Sequence, residues 1–376
     1  TLAGQIANAL ANIAWEGLHE PNSLELASAA LAQEEWQLCK EQPDPHDLVK
    51  ERVIGEGGYS VVYLVRDVRT NRQFALKRLR KGFMANLGLV ERVLMEKEAH
   101  EELRHPFICH LYTTFQDADS LYFVLEFARG GDLFELMELH GGQLSEPASR
   151  YYLGSVALGF QHMHTHGYVY RDLKPENVLI DGHGFVKIAD LGYAKFMRGK
   201  RTFSSLGTVT YTPPELLGGR GRAKAADWWG CGVLLHEMLR GQAPFVGDTS
   251  DEVLRRVQLY AEDRRANAEM LRCLQKTDMS LEAADLIASL LQPNEKDRLG
   301  TSGFRPIQDH PWFAGFNWVA LLRHEMTPPY IPPADCALPD VSDRVNPNIA
   351  LQHDFDRERW ASLFDQFGPT SSLHGE

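Results

Sequence analysis

Hydrophobic positions change their rhythm along this chain. From residue 48 they come as short β-branched and aromatic blocks, at 49–53, 61–65, 73–77, 111–115 and 121–127, each bounded by turn residues; this pattern predicts strands. Leu87, Val90, Leu94 and Leu103 recur at near-helical spacing among charges and predict one helix over 86–103. After Gly130-Gly131 the balance reverses. Helical spacing covers 132–139, 147–166, 224–240, 251–261 and 281–291, interrupted by a loop-rich stretch with short strands at 168–190. Strands first and helices afterwards predict an α+β fold of two lobes, a small β-rich one with a single key helix and a larger, mainly helical one. Residues 1–40 also carry helical spacing, up to the break at Pro43-Asp44-Pro45. Residues 327–350 are rich in proline and aspartate and read as extended.

Composition narrows the class. The 376 residues are 44% hydrophobic and 24% charged, ordinary for a globular chain, and long enough for two or three domains or one bilobal one. A formal net charge of −12 disfavours nucleic acid or an anionic membrane as partner, since both select basic surfaces. The five cysteines are scattered and never paired as CxxC, which fits reduced thiols and a cytoplasmic setting. No stretch approaches the ~18 apolar residues of a membrane-spanning helix, and the apolar N-terminus lacks a signal peptide's basic region. The chain opens on Thr1 rather than Met, as expected of a fragment or a processed form.

Three features carry chemistry. Gly55-Glu56-Gly57-Gly58-Tyr59-Ser60 lies between two predicted strands. Its glycines suit backbone N–H groups approaching phosphate oxygens, or simply a hairpin turn. The strand–turn–strand setting argues against a dinucleotide-binding fold. Lys77 sits inside an apolar strand, where a lysine needs a charge partner, and Glu96 on the next helix can supply it. The run Tyr170-Arg171-Asp172-Leu173-Lys174-Pro175-Glu176-Asn177 is the most specific, combining a carboxylate, a lysine two residues on and an amide at five. Asp190-Leu191-Gly192 follows at the end of a short strand, where a carboxylate can hold Mg²⁺ through hard oxygen ligands.

With these motifs the sequence resembles the protein kinase family from about residue 48 to 313. The resemblance implies a bilobal kinase fold, with a helical extension at 1–47, an N-lobe at 48–126, a C-lobe at 127–313 and a C-terminal tail at 314–376. It implies ATP and Mg²⁺ as cofactors. Ile54, the Gly55–Ser60 loop, Val62, Ala75, Glu126, Ala128, Asp132 and Leu179 would surround the nucleotide, with Leu125 as gatekeeper. Lys77, positioned by Glu96, would hold the α/β-phosphates; Asp172 would be the catalytic base, Lys174 would neutralise the moving phosphoryl group, and Asn177 and Asp190 would be the metal ligands. Glu215 would pair with Arg298, and Asp227 would brace the catalytic loop.

Lys174 and Thr208 match the serine/threonine class, and residues 200–208 resemble the activation loop of the AGC group. Gly315-Phe316-Asn317-Trp318 and Thr327-Pro328-Pro329-Tyr330 are most similar to cyclic-nucleotide-dependent kinases, the cyclic-GMP-dependent type above all. Asp132, Glu176 and Glu237 fall where that subgroup recognises arginines before the target Ser or Thr, so protein or peptide substrates with basic residues there are expected. Ser204 aligns with the activating phosphosite, with Arg92, Arg171 and Lys195 as its grip and Thr202 and Ser205 as neighbours. Residues 1–47 are too short for a cyclic-nucleotide-binding domain; such regulation implies upstream sequence or a separate subunit. Phe364-Asp365-Gln366-Phe367 reads either as a hydrophobic motif docking on the small lobe or as a segment near the nucleotide pocket, with His353-Asp354-Phe355-Asp356 as a rival. His100 replaces an expected aliphatic residue, raising the idea of a pH-sensitive helix. His162, His164 and His166 lie too far apart around a helix for all three to share a metal. The reading that rivals an active enzyme is a pseudokinase that binds nucleotide or partners without catalysis.

Overall fold

The computed structural model describes residues 42–58, 60–197, 208–219, 223–263, 265, 278–333, 362–371 and 373. The helical reading of 1–40, Tyr59, the candidate phosphosite Ser204 with Thr202 and Ser205, and His353-Asp354-Phe355-Asp356 lie outside the described residues.

The β-branched blocks form β1 (Leu48–Glu56), β2 (Ser60–Asp67), β3 (Gln73–Arg80), β4 (Leu111–Gln116) and β5 (Ser120–Glu126), one antiparallel sheet in the order β1-β2-β3-β5-β4. Alternation along β3 sends Phe74 and Leu76 to one face and leaves Ala75 and Lys77 half-buried on the other. One face gathers Leu48, Val65, Phe74, Leu76, Phe115, Tyr122 and Val124. The other packs Leu79, Leu121 and Phe123 against the helices that follow β3.

Those helices are α1 (Lys81–Asn86) and α2 (Val90–Glu102); α2 is the helix predicted over 86–103, starting four residues later. The spacing of Leu87, Val90 and Leu94 bridges a real break. Gly88 there has φ +66, a left-handed conformation that ends one helix and that other residues adopt at a cost.

The larger lobe holds α3 (Leu133–Leu139), α4 (Glu146–Thr165), α5 (Pro214–Leu217), α6 (Lys224–Arg240), α7 (Ser250–Glu262), α8 (Leu281–Leu290), α9 (Arg305–Gln308) and α10 (Trp318–Leu322). The helices α4 and α6 are buried along most of their length, and Trp228, Trp229, Trp312 and Trp318 all enter the core they share with α8. Two short ribbons cross this lobe's upper edge: β6 (Tyr168–Val169) with β9 (Lys195–Phe196), and β7 (Val178–Ile180) with β8 (Val186–Ile188). Backbone bonds tie β8 to the segment before β4, with Ile188 N donating to Phe107 O (2.8 Å) and Cys109 N to Ile188 O (2.9 Å).

The end of the chain returns to the sheet. Phe364 and Phe367 are fully buried among α2, β5 and Met84, and the Phe367 ring meets Phe123 edge-on with a centroid distance of 5.1 Å. Thr114 Oγ1 donates to Phe367 O, and Gln116 Nε2 to Phe364 O and Gly368 O. This placement matches the small-lobe docking alternative for Phe364-Asp365-Gln366-Phe367. Beyond it the chain crosses β4, pairing Thr370 with Gln116, and buries Leu373 on the opposite face of the sheet.

Candidate active site

The seam between the lobes collects the polar residues singled out above. Lys77 projects from β3 into this seam and donates to Glu96 Oε1 of α2 at 2.6 Å and to Asp190 Oδ1 at 3.0 Å. Burial opposes a charge on Lys77, but the Asp190 and Glu96 carboxylates outweigh it and hold its pKa above the ordinary value. Lys77 in turn pulls Asp190 down to about 2, so this carboxylate is ionised at any working pH.

Backbone geometry aims these groups. Asp190 has φ +52 and Arg171 φ +74, both left-handed and both non-glycine, a costly conformation that clusters at functional positions. Gly192 is hemmed in: a Cβ there would lie 3.0 Å from Asp190 Oδ1 and 3.0 Å from Glu96 Oε2. Any side chain at 192 would push apart the carboxylates that face Lys77.

Asp172 lies across the seam, 3% exposed. Asn177 Nδ2 donates to its backbone oxygen (2.8 Å) and to its Oδ2 (2.9 Å), and Lys174 Nζ stands 3.8 Å from the same Oδ2. Burial raises the Asp172 pKa, while Lys174, Asn177 and the Thr208 N–H pull it back. Thr208 thus approaches the carboxylate from the far end of the activation segment. The loop bearing Asp172 hangs from Asp227 of α6, whose carboxylate accepts from Tyr170 N (2.9 Å), Arg171 N (2.9 Å) and the His164 ring (2.7 Å). His164 is therefore a structural partner. Among the described residues, no group of three or more His, Cys, Asp or Glu side chains could hold a metal ion.

Mg²⁺ does not need such a cage, taking one or two carboxylates and completing its shell with water and phosphate oxygens. Asp190 and Asn177 fit that donor set. The Asp190 side chain is 39% exposed, and Asn177 spends its amide N–H groups on Asp172, leaving its oxygen as the acceptor.

The apolar candidates sit on the strands that carry or pair with Lys77 and Lys187. Val62, Ala75, Leu125 and Leu179 are half-buried, each directly after a buried residue of its strand. Val62 pairs with Lys77, and Ala75 with Leu125. Gly55 and Glu56 pair with Val62 and Val61, a register shift falls at Ile54, and Gly57 N donates to Ser60 O (2.8 Å), closing a hairpin tip around Gly58. Glu126 N is used by His110 O (2.8 Å), and Ala128 is buried where β5 leaves the sheet.

Asp132, Glu176 and Glu237 form an acidic surface below the cleft. Asp132 caps α3 by accepting from Glu135 N (2.8 Å), and Tyr211 donates to Glu237 Oε2 (2.5 Å). Among the described residues none of the three has a cationic partner. Burial lifts Asp132 to about 6, with the Glu135 and Glu176 charges adding to the rise. Burial also raises Glu237, and Glu176 adds to it.

Further anchors stand around this centre. Arg92 Nε donates to Gly192 O and its guanidinium lies 3.7 Å from the Tyr193 ring centroid, while Arg171 Nε donates to Tyr193 O. Glu215 and Arg298 meet twice at 2.9 Å with both side chains fully buried. His100 is 3% exposed, and burial pushes it down to about 3. It stays neutral across ordinary pH, which removes the idea of a pH-sensitive helix at this position. Sequence reasoning missed the Glu126–Lys187 pair under the cleft (2.9 Å) and the hold of His164 on Asp227. The only sequence signal for the first is a lysine within an apolar strand at 187.

Comparison with known proteins agrees with this arrangement. The protein kinase domain family matches residues 48–313. The chain is 35% identical over 294 residues to a cAMP-dependent protein kinase catalytic subunit of Arthrobotrys oligospora, covering 78% of this chain and 54% of that protein. It is 38% identical over 301 residues to the human ribosomal protein S6 kinase alpha-2, covering 78% of this chain and 39% of that protein. A Dictyostelium discoideum cAMP-dependent protein kinase catalytic subunit is 35% identical over 283 residues, 75% of this chain and 42% of the relative. The chain thus spans about half, or less, of the length of these curated relatives. With the bilobal fold and the convergent cleft, these matches show that the chain belongs to the protein kinase family, and within it to the AGC group.

Proposed function

We propose that this domain transfers the γ-phosphoryl group of ATP to Ser or Thr of protein substrates that carry basic residues before the acceptor. The carrying observation is the convergence of Lys77, Glu96, Asp190, Asn177 and Asp172 on one inter-lobe cleft from four separate stretches of chain. A pseudokinase would not need all five.

In this reading Lys77, kept charged by Glu96 and Asp190, binds the α/β-phosphates, and the hairpin amides at 55–60 cover them. Glu126 and Ala128 offer backbone groups to the adenine, whose faces meet Val62, Ala75 and Leu179. Mg²⁺ bound by Asp190 and Asn177 would neutralise phosphate charge. Asp172 orients the substrate hydroxyl and accepts its proton at the carboxylate, while Asn177 and Lys174 fix that carboxylate and Lys174 offsets charge on the transferring group. Thr208 holds the acceptor side of Asp172. Ser204, with Arg92, Arg171 and Lys195, serves as the activating phosphosite. The resemblance to cyclic-nucleotide-dependent kinases adds a regulator, a cyclic-nucleotide-binding domain or subunit outside these residues, with cyclic GMP favoured; adding each nucleotide to the full-length gene product and following activity tests it.

The basic-residue preference rests on the acidic surface of Asp132, Glu176 and Glu237. Burial, and after it the neighbouring carboxylates, raises Asp132 and Glu237, and arginines docking there would relieve the repulsion. Docking needs the ionised form, so affinity should fall as pH drops through the Asp132 value of about 6. The KM for an arginine-containing peptide is expected to rise about tenfold from pH 7 to pH 5, while a peptide with alanines at the same positions shows no such rise. An assay of ATP consumption with both peptides tests the whole reading; equal, negligible turnover with either would favour the pseudokinase.

A further inference from the structure

The side-chain ion pair between Glu126 and Lys187 has no part in the chemistry above, which uses only the Glu126 backbone. We propose that Lys187 is a positioning residue for the adenine end of the nucleotide, tying the hinge to the floor of the pocket. The inference rests on the nucleotide-binding reading and adds a residue to it.

Lys187 is in the middle of β8 and only 8% exposed, an unusual place for an ammonium. Its Nζ lies 2.9 Å from Glu126 Oε1, and Glu126 Oε2 accepts from His110 N at 3.3 Å. Glu126 is the last residue of β5, where the chain passes from the small lobe to the large one. Lys187 is also the cross-strand partner of Leu179, so both side chains stand on the same face of the β7–β8 ribbon. One ion pair therefore connects the two elements assigned to adenine, the hinge backbone at Glu126 and the apolar floor at Leu179. Farther along, Gly130 N donates to Ile180 O (2.8 Å) and Ile180 N to Gly131 O (2.9 Å), so the hinge exit is already fixed to the same ribbon. The start of the hinge has the Glu126–Lys187 pair in that role. Without the lysine, the Glu126 carboxylate loses the ion pair it makes among the described residues and would turn toward solvent, taking the hinge carbonyl with it.

The pair touches the adenine end and not the phosphates, which sets the test. Binding of MgATP and of adenosine, which has no phosphates, is measured by calorimetry for wild type, Lys187→Met and Lys187→Arg, with thermal melting of each. Lys187→Met is expected to weaken both ligands by the same factor, about five- to tenfold, with Lys187→Arg recovering most of it. In peptide assays KM for ATP should rise by that factor while kcat at saturating ATP stays within about twofold. A folded Lys187→Met protein that binds both ligands as wild type overturns the proposal, and so does weakening of ATP alone. If Lys187→Met does not fold, the neutral pair Glu126→Gln/Lys187→Met takes its place, with the same loss expected and wild-type adenosine affinity overturning it. A wild type that binds neither ligand strikes the nucleotide reading itself, and the proposal falls with it.

Discussion

Replacing Asp172 by Asn is expected to lower kcat about a hundredfold to ten-thousandfold and to leave ATP affinity within about threefold. The asymmetry follows from the geometry. Asp172, the proposed base, is held by Asn177 and Lys174, whereas Lys77, the proposed phosphate ligand, is paired with Asp190 and Glu96. An amide keeps the shape of the carboxylate and loses its capacity to take a proton. Burial already raises the Asp172 pKa, so the carboxylate is a stronger base than an exposed aspartate, and the substitution removes that gain too. The discriminating measurement is a peptide phosphorylation assay beside an ATP titration. Wild-type kcat in the Asn variant would exclude Asp172 as the base, and a collapse of ATP binding would point to a role in nucleotide binding.

The second large effect is on stability. Arg298→Met is expected to cost about 3–5 kcal/mol, a large share of the ~5–15 kcal/mol that holds a typical domain folded. Arg298 and Glu215 are both fully buried, and the guanidinium also donates to Ala225 O (2.8 Å) and Gln292 O (3.0 Å) and lies over Trp229 at 5.1 Å. Removing the arginine strands a carboxylate and two carbonyls in the core. Adding Glu215→Gln should restore part of the loss, since the stranded charge, and not the missing attraction, is the main cost. Urea denaturation followed by tryptophan fluorescence reads the effect, because Trp229 sits beneath the pair. An unchanged midpoint in the single variant would show that Glu215 finds other partners.

Some of the site could be read directly from the order of residues. Asp172, Lys174 and Asn177 are local, so their five-residue spacing already dictates that the amide can reach the carboxylate, and the structure has that bond at 2.9 Å. The strand blocks of the small lobe were legible because a two-residue period requires one buried face. Over 86–103 the same reasoning found the helix but not its start: the apolar spacing runs through Gly88, whose left-handed backbone delays the helix to Val90 and separates it from Lys81–Asn86. The tail segment Phe364-Asp365-Gln366-Phe367 admitted two positions by spacing; the apolar space between α2 and β5 decided between them.

The sequence by itself determined the lobes, the family and most of the polar residues that meet in the cleft, Lys77, Glu96, Asp172, Asn177 and Asp190, since these rest on periodicity and on short motifs. Only the tertiary structure decided what each of these groups feels. The lowering of Asp190 by Lys77, the raising of Asp132 among uncompensated carboxylates, the neutrality of His100 and the Glu126–Lys187 pair all depend on burial and on partners as far as 113 residues away in the chain. Charge interactions fall with distance in space and strengthen with loss of water, and neither quantity is written in the order of residues.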